Sequence, residues 1–107
     1  MTEYDQVERD IASYKAQIAA GAALERLSSN KDFKQLIAQG YFKDEAVRLV
    51  SLTASPGINE QSLIRQMAGI ANLEDYLRGI RKNAEIAAKS LPDSESTLEF
   101  LARQGGN

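Results

Sequence analysis

Large aromatic and aliphatic side chains are densest from Asp32 to Leu52, in the stretch DFKQLIAQGYFKDEAVRLVSL. Two of the three phenylalanines and one of the four tyrosines lie inside it within ten residues of one another, on both sides of Gly40. The segment then continues into the aliphatic run AVRLV at positions 46–50. A chain of 107 residues with no Trp and no Cys must build its core from its other large side chains, and they are densest here. We therefore expect the core here, with Phe33 and Phe42 filling the space between two short helices.

The composition bounds the size of the core and the class of partner. The length is that of one domain at most. Leu, Ile, Val and Phe make up 25 of 107 residues, a little above the level of roughly 20 % at which disorder is expected. Self-association would therefore add useful burial. A net charge of −2 does not suggest a dedicated nucleic-acid-binding domain, and no apolar run approaches the roughly 20 residues of a membrane span.

The periodicity of apolar residues is helical almost throughout, and no pair of strands with a hairpin turn is evident. The sequence therefore predicts an all-α compact bundle of four to five helices with one long helix in the C-terminal half. Pro92 is expected to end that helix. The predicted domain is residues 1–91, and residues 92–107 form a short helical or flexible tail that frays at its last three residues. The predicted helices run over about 3–27, 31–39, 43–54 and 59–91, with Gly40 ending the second one. Helix caps are predicted in the cluster Ser28-Ser29-Asn30 and at Asn59, and Ser96-x-x-Glu99 is a capping box for the tail helix. Ser55-Pro56-Gly57 is the predicted stop of the third helix.

Two helices carry apolar residues at heptad spacing. In the first helix the spacing of these residues is 3, 4, 3, 4: Tyr4, Val7, Ile11, Tyr14 and Ile18. In the long helix they recur every seven residues: Leu63, Ile70, Leu77, Ala84 and Leu91. Antiparallel bundles use the same spacing, so packing within the monomer is favoured. Packing between chains is the alternative.

The residues that most enzymes use are scarce in this chain. His and Cys are absent, and there is no P-loop, no G-x-G-x-x-G and no nucleophile motif. The adjacent carboxylates Asp44/Glu45 and Glu74/Asp75 diverge by about 100° on a helix, so neither pair converges on one substrate atom. We therefore predict no enzymatic activity, no catalytic residue, no cofactor and no metal.

Three groups of residues are candidates for contact with other molecules. The candidates for contact with a protein partner lie on the first-helix seam and on the C-terminal helix: Tyr4, Val7, Ile11, Tyr14, Leu98, Phe100 and Leu101. For the C-terminal helix, folding back onto its own bundle is favoured equally. For nucleic acid, as a weaker alternative, they are Arg78, Arg81, Lys82 and Lys89, although a solvated helix face is the better explanation because Asp75 and Glu85 offset their charge. Tyr41 and Phe42 are either an aromatic docking patch or, as we favour, part of the core.

Four short segments resemble small uncharacterised helical proteins of tailed bacteriophages, some of which are encoded among head, neck or packaging genes. The segments are Asp32-Phe33, Gly40-Tyr41-Phe42, Glu45-Ala46-x-Arg48-Leu49-Val50 and Ile70-x-x-Leu73-x-x-Tyr76-Leu77. The resemblance covers about residues 24–80. It implies a virion component or an assembly factor that acts through protein contacts, and it supplies no catalytic residue.

The function expected from the sequence is non-enzymatic protein–protein interaction, as a structural or accessory component of a phage virion or of its assembly. The partners would be protein subunits in a homo-oligomer or a larger assembly, located in the virion or the host cytoplasm. The first alternative is a small regulatory or inhibitory protein that binds a host enzyme. A nucleic-acid-binding accessory protein is the less favoured alternative.

Overall fold

A computed structural model describes residues 2–105 and shows three helices, with no strand in that range. Helix α1 is Glu3–Ser28. Helix α2 is continuous and has three parts, Lys31–Phe33, Lys34–Glu45 and Ala46–Leu52. Helix α3 is Glu60–Gly105. The all-α prediction and the long helix in the C-terminal half are confirmed.

The prediction of one compact bundle of four to five helices is wrong. The described residues form three helices, and the chain divides into two compact units. Unit 1 consists of Met1–Leu24 and Gly79–Asn107, and unit 2 is Glu25–Arg78. The error has two causes, because Gly40 and Pro92 were both read as helix ends and neither is one.

Helix α2 passes through Gly40 because its middle part is a π-helix. A π-helix bonds each N–H to the carbonyl five residues earlier and is usually a single turn, but here it spans 12 residues. The side chains of Gln39 and Asp44, five residues apart, are hydrogen-bonded at 2.9 Å in keeping with this repeat. Gly40 keeps a negative φ, and a Cβ added there would lie 3.1 Å from the Gln35 carbonyl oxygen. Its missing side chain therefore serves the π-helix and not a left-handed helix end.

The predicted helix caps at Asn30 and Asn59 are confirmed. The Phe33 N–H donates to Asn30 Oδ1 at 3.0 Å, and the Ser62 N–H donates to Asn59 Oδ1 at 3.1 Å. Each bond satisfies a backbone donor that has no partner within its own helix. Helix α2 ends at Leu52, and the predicted stop at residues 55–57 is also present, with Gly57 in the left-handed region at φ 78°.

Helix α3 continues through Pro92 to Gly105, so the predicted helix end at Pro92 is wrong. Proline removes one backbone hydrogen bond and crowds the carbonyl four residues earlier. The apolar stripe of α3 nevertheless continues beyond Pro92 with half-buried Leu98 and Leu101, and this tertiary packing outweighs the local cost. Ser96 and Glu99 therefore lie inside a helix and do not cap one. The division into a domain at residues 1–91 and a tail at 92–107 stays a prediction, and Met1, Gly106 and Asn107 lie outside the described residues.

Unit 2 has a core of large aliphatic side chains. Leu49 of α2 packs against Leu63 and Ile70 of α3, and their side chains are 1–4 % exposed. Tyr41 and Phe42 are half-buried against this cluster, with ring centroids 5.9 Å apart. The prediction that they belong to the core is confirmed. Phe33 is half-buried, and it is not among the residues packed on the cluster.

Unit 1 is an antiparallel pair formed by α1 and the C-terminal part of α3. Gly21 faces Ala84 so closely that a Cβ added at Gly21 would fall far inside van der Waals contact with the Ala84 Cβ. Tyr4, near the start of α1, lines the same groove as Ala102, near the end of α3, which fixes the antiparallel direction. In unit 1, α1 thus packs against α3 within one chain, and whether the heptad seams also pack between chains stays a prediction. The buried residues of this pair are Ile11, Leu24 and Ala87.

Candidate protein-interaction surfaces

One side of the α2–α3 pair in unit 2 carries exposed aliphatic side chains, and we name it the aliphatic face. Val47 and Val50 of α2 are 65 % and 58 % exposed, and Ile64 of α3 is 61 % exposed. Residues three apart on a helix lie on the same face, so the two valines are neighbours. Between the helices a small cavity is lined by Thr53, Glu60, Leu63, Ile64 and Met67. The aliphatic face thus adjoins the core without being covered by it.

A second small cavity of unit 2 has both apolar and polar walls. It is lined by Tyr41, Glu45, Leu49, Gln66, Gly69 and Ile70. Arg48 holds Glu45 through two hydrogen bonds, one of them from Nε to Oε2 at 2.9 Å. The hydrogen bond from Arg48 lowers the pKa of the Glu45 carboxyl, and its positive charge acts in the same direction. This ion pair is on the surface, where such pairs contribute little to stability.

Unit 1 has an open groove along its helix pair, which we name the unit 1 groove. From α1 it is lined by Tyr4, Ile11 and Lys15, and from α3 its walls include Pro92, Leu98 and Ala102. Glu95 and Glu99 also line it. Glu99 is 3.9 Å from Arg103, whereas among residues 2–105 neither Lys15 nor Glu95 has an ion-pair partner. The groove therefore carries a positive charge from α1 and negative charges from α3.

The structure brings together part of the partner-binding set predicted from the sequence. Tyr4, Ile11 and Leu98 meet at the unit 1 groove. Ile11 is buried, and the half-buried members of the set are Val7, Tyr14, Leu98 and Leu101. Phe100 points outward at 58 % exposed and is not part of the groove lining. Their role in binding a partner stays a prediction.

The four basic residues proposed as a nucleic-acid contact are all exposed on α3. Arg78 belongs to unit 2 and donates to Asp75 Oδ1 at 2.7 Å. Arg81, Lys82 and Lys89 belong to unit 1, and the exposed Glu85 lies among them in the sequence. Their contact with nucleic acid, which depends on positive charge that is not offset, stays a prediction.

Over residues 2–105, no three side chains of His, Cys, Asp or Glu are grouped so as to hold a metal ion. None of the described helices is long and apolar enough to span a membrane.

Comparison with known proteins gives no relative. No family model matches the chain, and neither the curated proteins nor the solved structures contain a match.

Sequence reasoning missed the aliphatic face. The reason is that the sequence places the whole run at positions 46–50 in the expected core. The apolar residues of this run spread over more than the roughly 100° stripe that a single packing partner buries. The excess of apolar residues in the run AVRLV was therefore the available indication that some of them face outward.

Proposed function

We propose that this protein acts through non-enzymatic protein–protein contact, and that the aliphatic face of unit 2 is its main contact surface. The observation that carries the proposal is the exposure of Val47, Val50 and Ile64, each more than half accessible. Single exposed aliphatic residues are common on any protein. Three of them on one helix pair, with Ile64 lining a cavity that reaches the core residue Leu63, are a stronger indication, because contiguous apolar patches mark interaction sites.

The chemistry of the aliphatic face defines the kind of partner. A partner that covers it gains the free energy of apolar burial, roughly 25 cal/mol per Å² removed from water. Among the described residues that line the adjoining cavity, Glu60 alone is charged, so charge would contribute little specificity at its centre. The partner surface should accordingly be apolar, for example the apolar stripe of a helix.

The biological setting that we propose is the particle of a tailed bacteriophage or its assembly. It rests on the resemblance of four short segments of residues 24–80 to small helical phage proteins. These segments contribute Tyr41, Phe42, Leu49 and Ile70 to the core of unit 2 or to its packing, and one of them ends in Val50 of the aliphatic face. A regulator of a host enzyme would use the same surface but would be absent from mature particles.

The proposal is tested by photo-crosslinking from defined positions. A photoreactive amino acid is placed at Val50 in one variant and at Asn72, an exposed residue of α3 in the same unit, in the other. In the cells that produce the chain, position 50 should give a discrete adduct with one protein and position 72 should not. Mass spectrometry identifies that protein, and mass spectrometry of purified particles shows whether the chain belongs to them.

Two variants provide the matched control. Val50→Asp and Asn72→Asp each add one negative charge to an exposed position of unit 2. Val50→Asp should abolish the adduct from a crosslinker at Ile64, and Asn72→Asp should leave it unchanged, while both keep the wild-type helix content by circular dichroism. Equal adducts from positions 50 and 72, or none from either, would remove the aliphatic face as the contact surface.

A further inference from the structure

The unit 1 groove lies between only two helices, and part of its lining is open to water. Tyr4 is 37 % exposed, Pro92 and Ala102 are exposed, and Leu98 is half-buried. Two packed helices leave part of each apolar stripe uncovered, and helical bundles cover it with further helices. The groove therefore has the form of one half of a four-helix bundle.

The charges in the groove have a direction along its axis. Because α1 and α3 are antiparallel, with Tyr4 and Ala102 on one groove, the Tyr4 end of α1 lies beside the C-terminal end of α3. Lys15, further along α1, then lies at the end of the groove near Pro92. Glu95 and Glu99 are three and seven residues further along α3, which corresponds to about 5 and 10 Å of helix. The groove is thus positive at the end near Lys15 and negative toward the end near Tyr4.

A two-fold axis makes this distribution self-complementary. In a two-fold dimer each contact occurs twice, so residue i of one copy meets residue j of the other and the reverse. If the axis crosses the groove between Lys15 and the two glutamates, Lys15 of each copy faces Glu95 and Glu99 of its mate. Exposed Pro92 and half-buried Leu98 then supply the apolar centre. A partner with an unrelated charge pattern would not be matched at both ends.

We infer that the unit 1 groove binds the same groove of a second copy of this chain, which forms an antiparallel four-helix bundle. This inference names a partner and a surface different from the aliphatic face, and it extends the proposed function of protein contact. It also gives the predicted partner-binding residues Tyr4, Ile11 and Leu98 one shared interface.

Charge reversal with mixing tests the dimer. Lys15→Glu alone places a third carboxylate opposite those of Glu95 and Glu99, and the double variant Glu95→Lys/Glu99→Lys alone places three positive charges together. We expect each to raise the dimer Kd by about tenfold or more, because like charges replace attractive pairs at two symmetric positions. When the two variants are mixed, both ends of a heterodimer regain opposite charges. Light scattering and native mass spectrometry should then show heterodimers in excess of either homodimer.

The mixing step separates an intermolecular contact from one within the chain. If Lys15 attracts Glu95 only inside its own helix pair, each variant remains impaired in the mixture and the inference fails. Arg9→Glu and Asp93→Lys are the matched controls, since both residues are exposed on the same helices and do not line the groove. They should leave the dimer Kd within about twofold of wild type, as expected for surface charges away from the interface.

The two proposals fail separately. Val50→Asp should not change the dimer Kd if the unit 1 groove is the self-association surface. A wild-type chain that stays monomeric at every accessible concentration would overturn the dimer and leave the photo-crosslinking test of the aliphatic face unaffected. A dimer that is lost in Val50→Asp and kept in Lys15→Glu would overturn the groove and assign self-association to the aliphatic face.

Discussion

The two units of this protein build helix contacts in opposite ways. Unit 2 separates its helices with large side chains, since Leu49, Leu63 and Ile70 fill the space between α2 and α3. Unit 1 brings its helices close together through small residues, with Gly21 against Ala84 and with Ala87 fully buried. We therefore expect the stability of unit 2 to depend on side-chain volume, and that of unit 1 to depend on how closely two helix backbones approach.

The largest effect should come from removing volume in unit 2. Leu49→Ala should lower the free energy of unfolding by about 2–5 kcal/mol, because Leu49 is 1 % exposed and a cavity would remain. Val50→Ala, at the neighbouring exposed position, should change it by less than about 0.5 kcal/mol. Urea unfolding followed by circular dichroism measures both. Similar losses for the two variants would mean that the core of unit 2 is not centred on Leu49.

A gain of stability is expected where unit 1 tolerates a poor helix former. Pro92 lies inside α3, and proline is about 3 kcal/mol less favourable than alanine in a helix interior. Pro92→Ala should raise the free energy of unfolding by roughly that amount or less, since the N–H of residue 92 becomes able to bond the Ala88 carbonyl. Amide hydrogen exchange should slow around residue 92. An unchanged or lower stability would mean that the ring of Pro92 makes packing contacts that offset its helix cost.

Gly21→Ala is the direct test of close approach in unit 1. Ala84 has no flexible side chain that can move aside, so the helices must separate, at a cost of about 1–3 kcal/mol as in other overpacked cores. The matched control is Gly79→Ala, because a Cβ at Gly79 meets no atom within 4 Å. That variant should be stabilised by about 0.5–1 kcal/mol through helix propensity alone.

The two glycine variants should change the stability of the protein in opposite directions. Thermal unfolding should shift down for Gly21→Ala and up for Gly79→Ala. The double variant Gly21→Ala/Ala84→Gly moves the methyl group to the other helix and should recover part of the loss. If both single variants stabilise, α1 and α3 are further apart than their packing indicates.

The smallest effect concerns the surface ion pair of unit 2. The pKa of Glu45 is lowered by Arg48, so the attraction is present above the pKa of the unfolded chain and is lost as the pH falls through the folded pKa. Arg48→Gln should therefore move the Glu45 pKa up toward its ordinary value, with little change in stability near neutral pH. An NMR titration of the carboxyl carbon measures the shift. Arg65→Gln, at another exposed arginine of unit 2, should leave it unmoved.

Much of the local structure follows from short-range patterns. Apolar residues at helical spacing predict α1 and the long helix, and the asparagines at positions 30 and 59 predict two helix starts that the structure contains. The stop at residues 55–57 also follows, because Pro56 cannot continue a helix and Gly57 adopts a positive φ. These features depend only on a residue and its near neighbours.

The errors lie where local preference and tertiary packing disagree. Gly40 and Pro92 each favour a helix end, and the sequence offers no local measure of the contacts that keep both helices continuous. The candidate surfaces show the same limit. The first-helix seam and the C-terminal residues were identified as contact candidates, but that Tyr4, Ile11 and Leu98 line one groove depends on the antiparallel register of α1 and α3.

The helical class, the one long helix and a core that includes Phe42 and Leu49 all follow from the sequence alone, because they depend on periodicity and on the density of large side chains at residues 32–52. Which of the remaining apolar residues are covered depends on how the helices pack. Leu49 and Val50 are adjacent and similarly apolar, yet one is buried and the other is 58 % exposed. The reason is physical: a helix turns each residue about 100° from the last, and a single neighbouring helix covers only one side.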